Sequence, residues 1–358
     1  MRSQFHAIAL IITLLFGTVA RTRAFETDQY DLPPQPLADI GDEVSQHVEE
    51  GIVTALNNVN VEIELRTACL DNSAPKDAKC ASPSKETQRL AELRSPAAVA
   101  RAVYKLLGDG DLFTTVTGKW FGKHKFAHEP SRYKPSYSGS IFLTRPVNYL
   151  TLSPTVQMYG SEFGFDKVDH FFQQGYKYYQ KYNEAVTAGV VANKAEEKAI
   201  DWGRMTERTY FGMLVSGVYS NADLFANYAG MKFYQGLTKE LTIGGRTRPA
   251  IVVLNDGRWS INDRIDLKAE LLRPFIADQM NEALNPSGYS FLLYKVVKKV
   301  VEDRACKGWR KLYPTATRAE FKRRTSDLEN WNGEDYGFTR KSRSIPISIC
   351  FEGKLPSQ

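Results

Sequence analysis

The residues whose types and spacing could do chemistry are mostly carboxylates. Glu207 stands in the stretch E-R-T-Y-F-G-M-L-V, among aromatic and aliphatic neighbours. A carboxyl group in such a setting loses hydration, so its pKa rises toward what a general acid needs. Downstream, Asp223, Asn227, Gly230 and Tyr234 recur at helical spacing and share one face. A polar stripe containing a glycine predicts either close approach of another backbone or a lined groove. Upstream, Asp166, Asp169 and His170 stand at i, i+3 and i+4. Paired carboxylates are the minimum equipment for cleaving a glycosidic bond. Glu207 is then the candidate general acid and Asp223 or Asp169 the second carboxylate, with His170 oriented by a neighbouring acid for proton transfer. Asn227, Tyr210, Tyr219 and Tyr228 are candidate substrate contacts, the tyrosine rings being suited to stacking on sugar faces.

The same residues also have ordinary structural uses. Asp166 falls near a helix start, where a carboxylate caps free N–H groups and meets the positive end of the dipole. Asp223 and Asn227 can brace neighbouring elements by interior hydrogen bonds. The alternative to a glycan hydrolase is therefore a non-catalytic binding or scaffold protein, in which these groups are satisfied inside the fold. A third reading is a metal-dependent hydrolase that uses His170 with His124 or His128. Those two stand four apart in K-H-K-F-A-H-E, but Gly122 and Pro130 leave room for barely one helical turn, and H-E-x-x-H is absent. No metal site is assigned. No P-loop, G-x-G-x-x-G, G-x-S-x-G or kinase motif occurs, so no cofactor is expected. Asp278 and Glu282 form a further acidic pair ahead of an N-P-S-G turn, where helix termination accounts for the composition.

Three short blocks, D-K-x-x-H-F at Asp166–Phe171, D-L-x-x-N-Y-x-G at Asp223–Gly230 and N-P-S-x-Y at Asn285–Tyr289, resemble motifs in exported bacterial proteins of unknown function. The resemblance implies a bacterial origin and an envelope address, and no activity.

The N-terminus agrees with export. Arg2 precedes the apolar run A-I-A-L-I-I-T-L-L-F-G-T-V-A, and small residues lead to Ala24, which is the layout of a signal peptide over residues 1–24. Arg2, Arg21 and Arg23 would leave with it, so the formal charge of +6 falls to +3. That balance does not indicate a nucleic-acid partner. No second long apolar run follows, so no transmembrane segment is expected in the mature chain, which is placed in the periplasm or outside the cell. Cys69, Cys80, Cys306 and Cys350 are read as disulfides, with the local pairing Cys69–Cys80 and Cys306–Cys350 the simplest of three. The partner to consider first is a cell-envelope glycan. The basic runs K-R-R at 322–324 and R-K-S-R at 340–343 read as a solvated surface, or as contact with an anionic envelope polymer or membrane.

The elements that must position these residues are mainly helical. The expected fold class is mainly α, a multi-helix globular domain with a small β-hairpin or sheet near 240–262. Residues 25–41 read as an extended N-terminal lead-in, and 42–358 as one domain with a less regular subdomain at 60–160. Val44, Val48, Ile52 and Leu56 keep helical spacing, and V-E-I-E-L then reads as a short strand. Ser95, Pro96 and Gly108 bound a helix by cap, first-turn proline and stop. Residues 165–183, 194–218 and 221–237 read as three further helices. N-D-G at 255–257 predicts a hairpin turn, residues 263–289 a helix broken at Pro274, and 290–309 the most regular helix.

Overall fold

A computed structural model describes residues 26–111, 114–209 and 211–351; the leader expected over 1–24 lies outside them. The fold is mainly α, with short two-stranded β pieces. No helix among the described residues is long and apolar enough to cross a membrane.

Helix α1 (Gly41–Leu70) carries the buried stripe Val44, Val48, Ile52, Leu56, Val59 and Ile63. V-E-I-E-L is therefore helix and not strand: Ile63 prolongs the stripe, and packing overrides the β preference of valine and isoleucine. Helices α2 (Pro83–Leu93) and α3 (Pro96–Leu107) pack along α1. As expected, the Ser95 hydroxyl accepts from Ala98 N–H, Pro96 opens α3 and Gly108 ends it. The stretch 60–107, expected to be less regular, is thus largely helical. Helix α4 (Val116–Lys123) and the short α5 (Pro146–Leu150) follow.

The central helix, α6, runs Asp166–Asp169, widens into a π turn at His170–Gln174 and continues through Gly175–Thr187. A π turn misaligns backbone carbonyls; here the Tyr234 hydroxyl donates to the freed Phe172 oxygen at 2.9 Å. Helix α7 (Ala192–Arg208) stops ten residues before the expected end at Val218. Beyond it the chain folds into turns closed by Phe211 N–H on Thr206 O and Met213 N–H on Glu207 O, and Gly217 takes a left-handed φ of 81°. Helix α8 (Asn221–Gly236) is capped by Ser220, and every residue along it is buried. It crosses α6 at Gly175 and Gly230, so closely that a methyl group on Gly230 would overlap the Phe171 carbonyl oxygen. The glycine in the polar stripe marks this backbone approach.

Two hairpins follow, Leu241–Ile243 with Arg246–Arg248 and Val252–Asn255 with Arg258–Ile261; the second turns at Asp256-Gly257, as N-D-G predicts. The helix expected over 263–289 reduces to α9 (Leu267–Glu270) and two 3-10 turns. Side chains compete for the backbone there: Asn281 Oδ1 accepts from Ala283 and Leu284 N–H, and Gln29 Oε1 from Glu282 N–H. Helix α10 (Phe291–Val300) passes through a π turn at Val301–Ala305 into Cys306–Leu312, and α11 (Arg318–Asp327) follows with a capping box.

The N-terminal segment that begins at Glu26 is interior. Strand β1 (Glu26–Thr27) pairs in parallel with Leu152–Ser153, and residues 26–30 are all buried. The Tyr30 hydroxyl donates to Ile345 O, and Trp309 donates to Tyr30 O. Two hydrophobic cores result. The larger gathers α1, α3, α6 and α8; the smaller gathers Tyr30, Leu284, Tyr289, α10 and Phe351. The disulfides are Cys69–Cys80 and Cys306–Cys350, the expected pairing, and no cysteine is free.

Two outcomes follow. Gly230→Ala forces α6 and α8 apart and destabilises the protein by at least about 3 kcal/mol in urea unfolding, at the upper end of overpacking. Replacing Cys306 and Cys350 by serine removes a crosslink of sequence separation 44, which costs about 4 kcal/mol on chain-entropy grounds, against about 3 kcal/mol for the shorter Cys69–Cys80 loop; denaturant curves of the two double variants give the order.

Candidate functional site

Lys167 sits at the centre of the candidate site. Its side chain is fully buried, and its ammonium lies 2.7 Å from Asp166 Oδ2, Asp223 Oδ1 and Glu282 Oε1. Each contact comes from a different part of the chain. Asp166 and Lys167 open α6, Asp223 lies in the first turn of α8, and Glu282 lies in the turn segment ahead of Tyr289. Strand β1 closes the cluster, since Thr27 donates to Asp166 Oδ1 at 2.6 Å and Glu26 is buried beside the same charges. Asp166 N–H also donates to Ser153 Oγ at 2.9 Å. Glu282 accepts from the Ser220 hydroxyl at 2.7 Å and from Ser287. Ser220 thus caps α8 and ties it to the cluster.

His170 forms the outer edge. Its Nδ1 lies 3.1 Å from Asn227 Oδ1 and its Nε2 lies 3.4 Å from Asp223 Oδ2. The Asp166–His170 and Asp223–Asn227 stripes therefore meet, through His170 and Lys167. Asp169 turns the other way and accepts from Thr115 N–H at 3.2 Å and from the Thr115 hydroxyl. Glu207 is buried next to the cluster, with Oε1 accepting Ser220 N–H at 2.8 Å.

The charges are unequal, since Glu26, Asp166, Asp223, Glu282 and Glu207 surround one lysine. Burial, then the charges of Asp223 and Glu282, hold Glu26 well above the usual carboxylate range. Burial and Asp223 do the same to Glu207. Burial raises Glu282, against the pull of Lys167. Burial opposes ionisation of Asp166 as well, but the Lys167 ammonium and the hydrogen bonds from Lys167 and Thr27 keep it below its ordinary value. Burial works against the Lys167 charge too, and Asp166, Asp223, Glu282 and Glu26 overcome it, so its pKa lies well above that of a free lysine. The cluster thus favours the charged forms of Lys167 and Asp166 and disfavours those of Glu26 and Glu207.

A cleft of about 490 Å³ opens on the outer side of α6. Asp169 and Asp166 line one wall, Thr114 and Ser153 add hydroxyls, and Lys119, Lys123 and Arg132 stand on α4 and the loop beyond it. Phe121 and Phe165, stacked with centroids 3.5 Å apart, form its apolar part. Burial raises Asp169 to about 6, against the hydrogen bonds from Thr115.

The other expected site residues are dispersed. Tyr219 is fully buried and meets Thr339 Oγ1 at 3.0 Å. Tyr228 is buried on the far side of α8 and donates to Glu334 Oε2 at 2.9 Å. Tyr210 lies outside the described residues. His124 faces Glu43 at 2.9 Å and stacks on Trp120, whereas His170 faces Asn227 and Asp223. Among the described residues no group of three or more His, Cys, Asp or Glu side chains is arranged to hold a metal ion.

Sequence reasoning missed Lys167, Glu26 and Glu282 as members of the cluster. A signal for Lys167 existed: it shares an i, i+4, i+7, i+11 stripe with Phe171, Gln174 and Tyr178, all buried, so its amine had to find interior partners. Comparison with protein-family models, curated proteins and solved structures returns no match.

Removing Lys167 tests the electrostatic account. Losing one partner of a buried ion network costs about 3–5 kcal/mol, and Lys167→Met is expected to do so. The pH dependence has a definite sign. Glu26 and Glu207 have raised folded pKa values, so the native state holds protons the unfolded chain has released, and stability falls as pH rises from about 4.3 through those folded values. Without Lys167 more acids retain protons. The deficit of Lys167→Met should then grow from about pH 5 to about pH 8, by roughly 1.4 kcal/mol per pH unit for each extra proton held. Urea unfolding at both pH values checks it, and an equal deficit would contradict it.

Proposed function

We propose that the chain is an exported envelope protein that binds an acidic glycan segment in the cleft beneath α4, with the buried cluster as the foundation of that cleft. The observation that carries this reading is where the carboxylates point. Asp223 and Glu282 turn on Lys167, and Glu207 turns on the Ser220 amide; all three are buried. The cleft has a different character. Lys119 and Lys123 suit an anionic ligand, Asp169 offers an acceptor for its hydroxyl groups, and the buried Phe121–Phe165 stack, with the Arg132 guanidinium over the Phe121 ring, makes the wall apolar. Its volume falls within the range of small-molecule sites. Export is supported by the leader-like N-terminus and by the pairing of all four cysteines, since disulfides persist in oxidising compartments.

One observation favours a second reading, glycan hydrolysis. Asp169 lies on the cleft wall with a pKa raised to about 6, close to what a general acid needs. Asp169 would then take the role expected of Glu207.

Titration calorimetry of the mature protein with soluble peptidoglycan fragments separates the two. Binding is expected, weakened about tenfold in Lys123→Glu, the loss of one charge-assisted contact, with no new reducing ends formed. Release of reducing ends that Asp169→Asn abolishes would replace the binding reading by hydrolysis. Absence of both binding and turnover would contradict the two together.

A further inference from the structure

Away from the cluster, three stretches distant in sequence meet at Gly217. Arg145 Nη1 and Asn148 Nδ2 both donate to Ser216 O, at 3.1 and 2.9 Å. Ser290 N–H donates to Gly217 O at 2.8 Å. The left-handed φ of Gly217 makes this junction, and a side chain there would press on Ser290 Oγ and the Arg145 guanidinium. Each stretch carries exposed apolar side chains within a few residues of the junction. They are Val147 and Leu150 on α5, Leu214 and Val215 on the turn after α7, and Phe291 and Leu292 at the start of α10. Leu214 and Leu292 are 76% and 74% exposed, more than any other large hydrophobic residue described. Scattered exposed leucines need no explanation, but a cluster drawn from three segments does.

The charges around the patch say what covers it. Helix α10 buries Leu293, Val297 and Val300. Its outward side passes from Phe291 and Leu292 to Lys295, Lys298 and Lys299, all exposed. The Lys295 amine stands 4.4 Å from the centroid of the Phe291 ring. Arg145 sits at the junction itself. Apolar side chains bordered by exposed lysines match a bilayer interface with anionic headgroups, where the carbon side chains enter the acyl boundary and the amines stay at headgroup level. We propose that this face docks the protein on an anionic lipid bilayer, as a peripheral contact. Leu150 belongs both to the patch and to the lining of the Asp169 cleft, so a docked molecule holds that cleft close to the membrane surface. The proposal stands independently of what the cleft binds.

Co-sedimentation of the mature protein with vesicles tests it. One set is phosphatidylcholine alone, the other phosphatidylcholine and phosphatidylglycerol in equal parts. The protein is expected to pellet with the anionic vesicles, and less so as salt rises. The double substitution Leu214→Ser, Leu292→Ser should lower the partition constant on the order of tenfold or more for each leucine removed. Both side chains are exposed, so thermal unfolding of this variant should match the wild type. Lys295→Glu with Lys299→Glu should abolish the preference for anionic vesicles and leave the fold intact. The proposal fails if the wild type stays in the supernatant with both vesicle types, or if the leucine variant partitions unchanged. It also fails if light scattering shows an oligomer that the leucine substitutions disperse while no vesicle is bound, which would make the patch a contact between copies of this chain.

Discussion

The structure depends on one ammonium group with no access to water. Lys167 is the buried cation that Asp166, Asp223 and Glu282 surround at 2.7 Å. Removing a lysine charge from water costs several kcal/mol, and only close opposite charges with satisfied hydrogen bonds offset it. The contacts therefore have to be made together. They fix the start of α6 against the first turn of α8, bring the Glu282 turn onto both, and draw β1 in from the N-terminus through Thr27 and Glu26. The larger core lies mostly on the α6–α8 side, whereas Tyr30, Leu284 and Tyr289 belong to the smaller one. The cluster sits at the seam and ties the two cores together.

The excess of acid shapes what the site can do. Five carboxyl groups crowd one lysine in a medium of low polarity, and burial with the neighbouring charges raises the pKa of Glu26 and Glu207 well above the usual carboxylate range. Glu207 has the raised pKa of a general acid, but its oxygen is engaged with the Ser220 amide and its side chain is buried. Asp169 combines a raised pKa with a place on a cleft. The carboxylates that the sequence singles out thus divide between an interior cluster, which sets geometry, and Asp169 on the wall of a surface cleft.

Much of the architecture was legible because its causes are local. Ser95, Pro96 and Gly108 bound α3, Ser220 caps α8, N-D-G turns a hairpin, and the short polar loop between Cys69 and Cys80 closes on itself. Gly230 announced a backbone contact by standing in a stripe where a solvent-facing helix would carry Lys or Glu. What was not legible depends on distant partners. The segment 263–289 has helical composition, but Asn281 and Gln29 take its amides. V-E-I-E-L reads as strand until the stripe ending at Ile63 is packed on α2 and α3. Asp166 with His170, and Asp223 with Asn227, were legible as two polar stripes, but that the stripes face each other was not. Lys167, which joins them, was passed over because a lysine in a helix is ordinarily solvated, and its only signal was the stripe it shares with Phe171, Gln174 and Tyr178, all buried.

The most direct measurement is the ionisation of Lys167 itself, followed by nitrogen-15 NMR of its side chain in the native protein. The account predicts an ammonium that stays charged above the ordinary lysine value of about 10.4, with protons shielded from exchange with water. A neutral amine at neutral pH, or an ammonium exchanging as freely as a surface lysine, would contradict it.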